Sequence, residues 1–365
     1  MDFTLNDDQQ AIADLANRIL GDRVDMERLM AIEASDEWFD RDTYAELAKS
    51  GLVGIALPES VGGSGQGLVE LGQVLEAQGR HVAPMPLLPT SLAALAIAEF
   101  GSDDQRNSWL PGVADGSVLL TVALQEYLND DIEHPDTVAS ADGGSWTVTG
   151  TKVVVEFARQ ADRAVVSART DAGTGLFLVD LGADGVSLTD GASTRLEPVH
   201  EIVLDGAAAE PIGDADGTSL RWLHQRALAL LCSTQVGVLD QALKLTAEYT
   251  STREQFGRPV ATFQAVTQRL ADAFIHVEGA RLTTAASVWE LDNGRDATEH
   301  LYMAKWYCSK WANEVAHATQ HVHGGMGVSA DYPLHRYTLW NKHIETSLGA
   351  GTRQLRALGA LLAAG

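Results

Sequence analysis

YTSTREQFGRPVATFQ, residues 249–264, interrupts a long run of apolar-periodic, helix-forming sequence with Arg253, Glu254, Gln255, Phe256, Gly257, Arg258 and Pro259. Proline removes a backbone N–H and clashes with the preceding turn, and glycine favours a helix end. The spacing therefore predicts a helix that ends at Phe256 and Gly257, a sharp corner, and a second helix restarting behind Thr262 as its N-cap. Arg253 and Arg258 project near that corner. A fork-shaped guanidinium beside the open N–H groups and positive dipole end of a helix suits a pyrophosphate. The same spacing fits a plain corner whose arginines pair with local acids such as Glu254.

Outward from this stretch, helical periodicity fills 219–253, 262–292 and 297–322, with a final run from about Leu348. Long helices with short connections imply an antiparallel bundle. Upstream, from about Val118 to Gly217, short runs such as SWTVTG, KVVVEF, RAVVSA and LFLVDL alternate with Gly, Asp and Ser, which reads as antiparallel strands of a small barrel or sandwich. The first third is helical again, opening with Asn6 as an N-cap and Gln9 three residues on. Its loop ALPESVGGSGQG (56–67) does not fit a dinucleotide fingerprint, because Gly63, Gly65 and Gly67 lack the G-x-G-x-x-G spacing. The fold class is α+β: an N-terminal helical domain (1–117), a middle antiparallel β barrel or sandwich (118–217) and a C-terminal four-helix bundle (218–365).

The chain has 365 residues, 45% of them hydrophobic, enough for a substantial core in two or three domains. Lys and Arg number 26 against 50 Asp and Glu, and the net charge of −24 repels nucleic acid and anionic lipid. Cys232 and Cys308 are not in a CxxC pair, and the start MDFTLNDDQQ has neither a basic n-region nor an apolar h-region. The expectation is a reduced, cytoplasmic protein with no membrane span.

PESVGGSGQGLVELGQVLEAQGR early, GSWTVTGTKVVV and ADRAVVSAR in the middle, REQFGRPVATFQAVTQRLAD on the bundle and HGGMGVSADYPLHRY later resemble, in this order and over essentially the whole chain, the acyl-CoA dehydrogenase family. REQFGRP and HGGMG are its most specific marks. The resemblance implies that the first is a clamp on the ADP half of an FAD bound to a neighbouring subunit. Arg253 then matches the pyrophosphate-binding arginine, Phe256 the ring beside it and Gln264 a further contact. His321 falls where a glutamine usually faces the cofactor, and Gly324 with Gly325 forms the turn that admits it.

The resemblance fails elsewhere. The family removes an α-proton with a glutamate while flavin N5 takes the β-hydride, and that glutamate sits in one of two places. Here Ala350, in SLGAGTRQL, occupies the first and Ala227 the second. Of the displaced acids, Glu345 lies nearest in sequence to the usual site, with Glu126 and Asp240 as further candidates. The family's Thr-Glu-Pro and Gly-Ser-Asp elements become LQEYLNDDIEHP, with Gln125 and Tyr127, and its Trp-Ile-Thr strand becomes Val154, Val155 and Glu156. A carboxylate ~4 Å from an anionic reduced flavin costs on the order of 4 kcal/mol at an effective dielectric of 20. After HRY, where the family has a basic residue, TLWN places Leu339 and Trp340.

These uneven losses imply a subunit that lends its clamp to a related partner carrying the base and the flavin platform. The substrate class is an acyl-CoA thioester, with a steroid side chain among the candidates, and the assembly is a homo- or hetero-oligomer. A scaffold without FAD and a flavin monooxygenase on the same fold are the alternatives. His317, His321 and His323 have poor zinc spacing, with no Glu after the first, and no metal is expected. Tyr302, Trp306 and Trp311 read as core or interface packing.

Overall fold

A computed structural model describes residues 3–364. Helices come first: α1 (Asp7–Arg23), α2 (Met26–Glu33), α3 (Arg41–Lys49), α4 (Leu68–His81), α5 (Leu87–Phe100) and α6 (Asp103–Asp115). Strands follow: β1 (Leu120–Ala123), β2 (Val138–Asp142), β3 (Ser145–Glu156), β4 (Arg163–Arg169), β5 (Thr174–Asp180), β6 (Val186–Ala192) and β7 (Pro198–Ile212). The chain then runs through α7 (Thr218–Thr252), the two-residue strands β8 (Glu254–Gln255) and β9 (Arg258–Pro259), α8 (Gln264–Asp292), α9 (Thr298–His323), α10 (Leu334–Thr346) and α11 (Gly351–Ala364). The order is the helical, β, helical one that the sequence predicts. At the start of α1, Asn6 Oδ1 accepts from Gln9 N at 2.9 Å and Gln9 Oε1 accepts from Asn6 N at 3.0 Å, a reciprocal capping box. Among the described residues no helix is long and apolar enough to cross a membrane.

The chain divides into two compact units. One comprises Glu27–Leu71 and Pro84–Ala227. In it, β2, β3, β7, β5 and β4 pair in that order, and a single parallel pairing of Val138 with Arg169 returns β4 to β2. The sheet thus closes into the expected small barrel, with β6 added on β7. It is antiparallel except where β4 meets β1 and β2. Val148, Val166, Phe177, Val179, Ile202 and Leu204 fill its interior. In β3 one extra residue intervenes between Lys152, opposite Ile202, and Val155, opposite His200. This bulge holds Val154 at φ +54°, where a β-branched residue is a genuine outlier.

The other unit takes in the chain up to Met26, Gly72–Ala83 and everything from Leu228. Its core is a seam of small and branched side chains at helical spacing: Cys232, Val236, Leu239 and Leu243 on α7, Ala273, Val277 and Ala280 on α8, and Ala304, Cys308, Ala312 and Val315 on α9. α4 and α7 approach through glycines. A Cβ on Gly237 would lie 1.9 Å from Glu76 O, and one on Gly79 would lie 2.0 Å from Thr234 O. Around this crossing, Arg80 and Arg281 both pair with Glu76 and Asp240. The helical runs predicted from sequence omit α10, which buries Leu334, Tyr337, Trp340 and Ile344. Glycines and Pro333 just before it hide its start, and Trp340 is core.

Candidate functional site

The opening stretch folds differently at its corner from the expectation. α7 stops at Thr252, and β8 and β9 form a miniature hairpin whose turn is Phe256 and Gly257, at φ +55° and +77°. Two consecutive positive φ angles make the mirror-image turn that suits a two-residue hairpin. The helix ends at Thr252, and the left-handed backbone four residues on turns the chain back on itself. Val260 N donates to Arg253 O at 2.8 Å and closes the loop. Phe256 is 91% exposed, an aromatic ring held at a strained, solvent-facing tip.

Thr262 is not the cap of α8. It lies in a short 3₁₀ turn, donating Oγ1 to Pro259 O at 2.7 Å, and α8 begins at Gln264 behind Phe263, which caps it with no side-chain bond. The N–H groups of Gln264 and Ala265 are left for an external acceptor, while Val266 N turns back to Phe263 O at 2.9 Å. Gln264 is exposed as the first helical residue. Arg253 is exposed, and among the described residues no acid pairs with its guanidinium; Glu254 does not. Arg258 instead lies over the Phe263 ring at 4.2 Å, and Phe263 meets Phe256 edge-on at 6.1 Å. An open arginine, an uncapped helix end and an exposed ring share one corner.

Three rings that sequence reasoning missed bring the other half of the expected clamp beside it. Tyr249, four residues before Arg253, stacks on His323 at 4.3 Å, and His323 ends α9 immediately before Gly324. Tyr332 completes the set at 5.2 Å from His323. Gly324 has φ +60°, and a Cβ on Gly324 or Gly325 would meet nothing within 4 Å, so the turn presents bare backbone. His321 is exposed on the last turn of α9. The sequence signal was that Tyr249 lies four residues before the start of REQFGRP and His323 opens HGGMG. His317 and His321 face solvent while His323 is buried, and among the described residues no group of three His, Cys, Asp or Glu is placed to hold a metal. Trp311 stacks on His276 at 3.9 Å.

The base positions hold methyl groups, Ala227 buried and Ala350 exposed after a corner with Leu348 and Gly349 at φ +55° and +87°. Glu345 pairs with Lys342 at 2.7 Å. Asp240 is bound to Arg80, Arg281 and Lys244, and Glu126 accepts from Asp136 N, Thr137 N and Oγ1, and Lys152 Nζ. Both carboxylates belong to ion-pair networks that hold the fold, which accounts for them without catalysis. On the β3 bulge Val154 is 40% exposed where the resemblance expects an aromatic platform. The uncompensated charge expected at Glu156 is a correction: buried Arg195 lies 3.5 Å from it and also pairs with buried Glu197. Burial and the Glu156 charge push Glu197 up to about 8 against the pull of Arg195. Arg195 is thus shared by two carboxylates, Glu156 and Glu197, and the Glu156 charge has a cationic partner.

The barrel unit has an acid-sensitive pair of anchors. Glu126, although burial raises it, is drawn down to about 2 by Lys152 and its other donors. Glu133, bonded by His224 Nδ1 at 3.1 Å and Arg221 Nε at 3.2 Å, is also held at about 2. Burial pulls Lys152 down to about 8 while Glu126 keeps its proton on, so the pair is charged at neutral pH. A carboxylate with a depressed folded pKa contributes stability that is complete above its unfolded value and lost as pH falls toward the folded one. Barrel stability is therefore expected to decline between about 4.5 and about 2. Lys152→Met should move that decline to higher pH in acid titrations followed by circular dichroism; an unmoved limb would show that Lys152 does not hold Glu126 down.

Two family profiles match the chain: "Acyl-CoA dehydrogenase, N-terminal domain" over residues 6–117 and "Acyl-CoA dehydrogenase, C-terminal domain" over residues 222–362. The acyl-CoA dehydrogenase FadE27 of Mycobacterium tuberculosis is 36% identical over 100% of this chain and 99% of its own. Among solved structures, a Tcur3481–Tcur3483 steroid ACAD variant superposes with a TM-score of 0.95 at 43% identity, covering 99% of both chains. The ChsE4–ChsE5 complex from Mycobacterium tuberculosis also gives 0.95, at 37% identity over 100% of this chain and 99% of that one. Proteins of this fold have been solved with FAD or FADH2.

Proposed function

Because the chain belongs to the acyl-CoA dehydrogenase family, we propose that it is one subunit of a heteromeric acyl-CoA dehydrogenase, lending half of a flavin site to a related subunit that carries the base. The observation that carries this reading is the guanidinium of Arg253, exposed and without an acidic partner among the described residues, beside an uncapped helix end. The residues fit the ADP half of FAD. Arg253 and the leading N–H groups of α8 would hold the pyrophosphate, with Phe256, Gln264, His321 and the Gly324–Gly325 turn around it. The residues at the ring platform do not fit: Val154 sits on a strained bulge, and the Glu156 carboxylate is committed to Arg195.

When bound, FAD supplies the hydride acceptor. This chain supplies an electropositive corner that neutralises the pyrophosphate, and its position fixes the cofactor against the partner's platform. The proton must leave the α-carbon for a carboxylate of the partner, because a methyl group at 227 or 350 accepts none. The similar structures at 37% and 43% identity are the ChsE4–ChsE5 complex and the Tcur3481–Tcur3483 steroid ACAD, which supports a related partner and makes a steroid acyl-CoA thioester the substrate class to test first.

The test is to express the chain alone and with an adjacent related gene, then measure flavin and acyl-CoA oxidation. The chain alone should be inactive and colourless, and the pair should hold about one FAD per two unlike chains. Two flavins per pair would return the platform to service and sink the shared-site reading. Oxidation by the pure chain would sink the claim that the base comes from elsewhere.

A further inference from the structure

We propose that His323 is a positioning residue for the clamp, a neutral imidazole that ties the Arg253 hairpin to the Gly324–Gly325 turn and releases both when it takes up a proton. The inference rests on the flavin reading above. His323 is 3% exposed and stacks nearly parallel, at 20°, on Tyr249. Tyr249 O in turn accepts from Arg253 N at 2.8 Å, so the position of the tyrosine sets where the arginine leaves α7. On its other side His323 is joined directly to Gly324. One ring thus spaces the two halves of the clamp.

The hydrogen bonds assign its protonation. Nδ1 faces Thr319 O at 2.9 Å and must donate, since a carbonyl only accepts. Nε2 is then the acceptor for the Tyr332 hydroxyl at 3.1 Å. Tyr332 O accepts from His335 Nδ1 at 2.8 Å, which holds the loop that brings Tyr332 in. Protonation makes Nε2 a donor, and the Tyr332 hydroxyl reverses to accept from it, so the cost of the proton is that of a buried cation with no carboxylate beside it. The titratable and charged groups around the imidazole are Tyr249 and Glu248 from α7, Tyr332 from the loop and His335 from α10; Glu248 acts on Tyr332, and none of them gives His323 a carboxylate at ion-pair distance. The Tyr249 face offsets part of a buried cation. Burial outweighs it and holds His323 below the usual histidine range. The ordered clamp therefore binds fewer protons than the open one, and its order weakens as pH falls through that range.

The experiment uses the assembled complex with its related partner and follows FAD release by flavin fluorescence from about pH 8 to about pH 5.5. Wild type should lose about tenfold in affinity over that range. His323→Phe keeps a stacked ring but loses the bonds to Thr319 and Tyr332 and cannot titrate, so it should bind flavin more weakly than wild type at the upper pH and lose no more at the lower. His323→Gln, as a second variant should the first fail to fold, should also flatten the profile. A flat wild-type profile, or a His323→Phe profile with the wild-type slope, overturns the positioning role. Arg253→Ala at the upper pH separates this from the flavin reading: if that variant keeps its flavin, the clamp itself is wrong, and if it loses flavin while the His323 variants keep the slope, only the positioning role is.

Discussion

Gly237→Ala is expected to cost on the order of 4 kcal/mol and to leave much of the chain unfolded near physiological temperature, although it replaces a poor helix former with the best one. Propensity alone favours alanine by about 1 kcal/mol. The crossing reverses the sign. The added methyl would lie 1.9 Å from Glu76 O and 2.8 Å from Arg80 N, and both are backbone atoms, so no side chain can rotate out of its way. α4 and α7 must separate, and the first interactions to stretch are the pairs of Arg80 and Arg281 with Glu76 and Asp240, whose side chains are between 13% and 32% exposed. Weakening such partly buried pairs leaves charges short of solvent and of partner, which is why the loss exceeds simple overpacking. Gly359→Ala in α11 is the control, since nothing lies within 4 Å of its Cβ and the propensity gain should stand. Urea titration of both variants reads the contrast, and a Gly237→Ala protein as stable as wild type would mean the helices do not meet there.

This crossing shows what the sequence could and could not reveal. Period and punctuation are local, so the long helices, the strand-rich middle and the capping box at Asn6 were legible from neighbouring residues. Gly79 and Gly237 are ordinary helix residues until two distant segments are laid together, and nothing local marks them as a contact. The corner at 253–264 was legible as a break, but its form was not. Pro259 and Gly257 predict a stop, whereas the hairpin depends on Phe256 accepting a left-handed backbone that aromatic residues seldom take. Glu156 failed for a related reason. Its compensating partner, Arg195, comes from another part of the barrel and is visible only when β3 is in place. The Tyr249, His323 and Tyr332 rings are 74 and 9 residues apart in sequence order and meet only in the folded unit.

Arg253→Ala should strip flavin from the assembled complex while scarcely changing the chain's own stability. The two halves of this expectation come from different features of the same side chain. Its stability effect is small because the guanidinium is exposed and holds no acid among the described residues, and such substitutions usually fall within about 0.5 kcal/mol. Its binding effect is large because a charge-assisted, forked contact with a phosphate contributes about 1.5–3 kcal/mol, or about 10- to 100-fold in affinity. The backbone of residue 253 stays in place, since its N–H and C=O bonds to Tyr249 and Val260 do not involve the side chain. Arg253→Lys should fall between wild type and alanine, keeping the charge but losing the fork. Arg258→Ala should cost less flavin, because its guanidinium is already engaged over Phe263. Equilibrium dialysis of FAD against the co-purified complex, beside thermal melts of each variant, measures both halves. A variant that binds flavin as wild type does would make the corner structural, and one that melts far below wild type would show that Arg253 holds the hairpin rather than a cofactor.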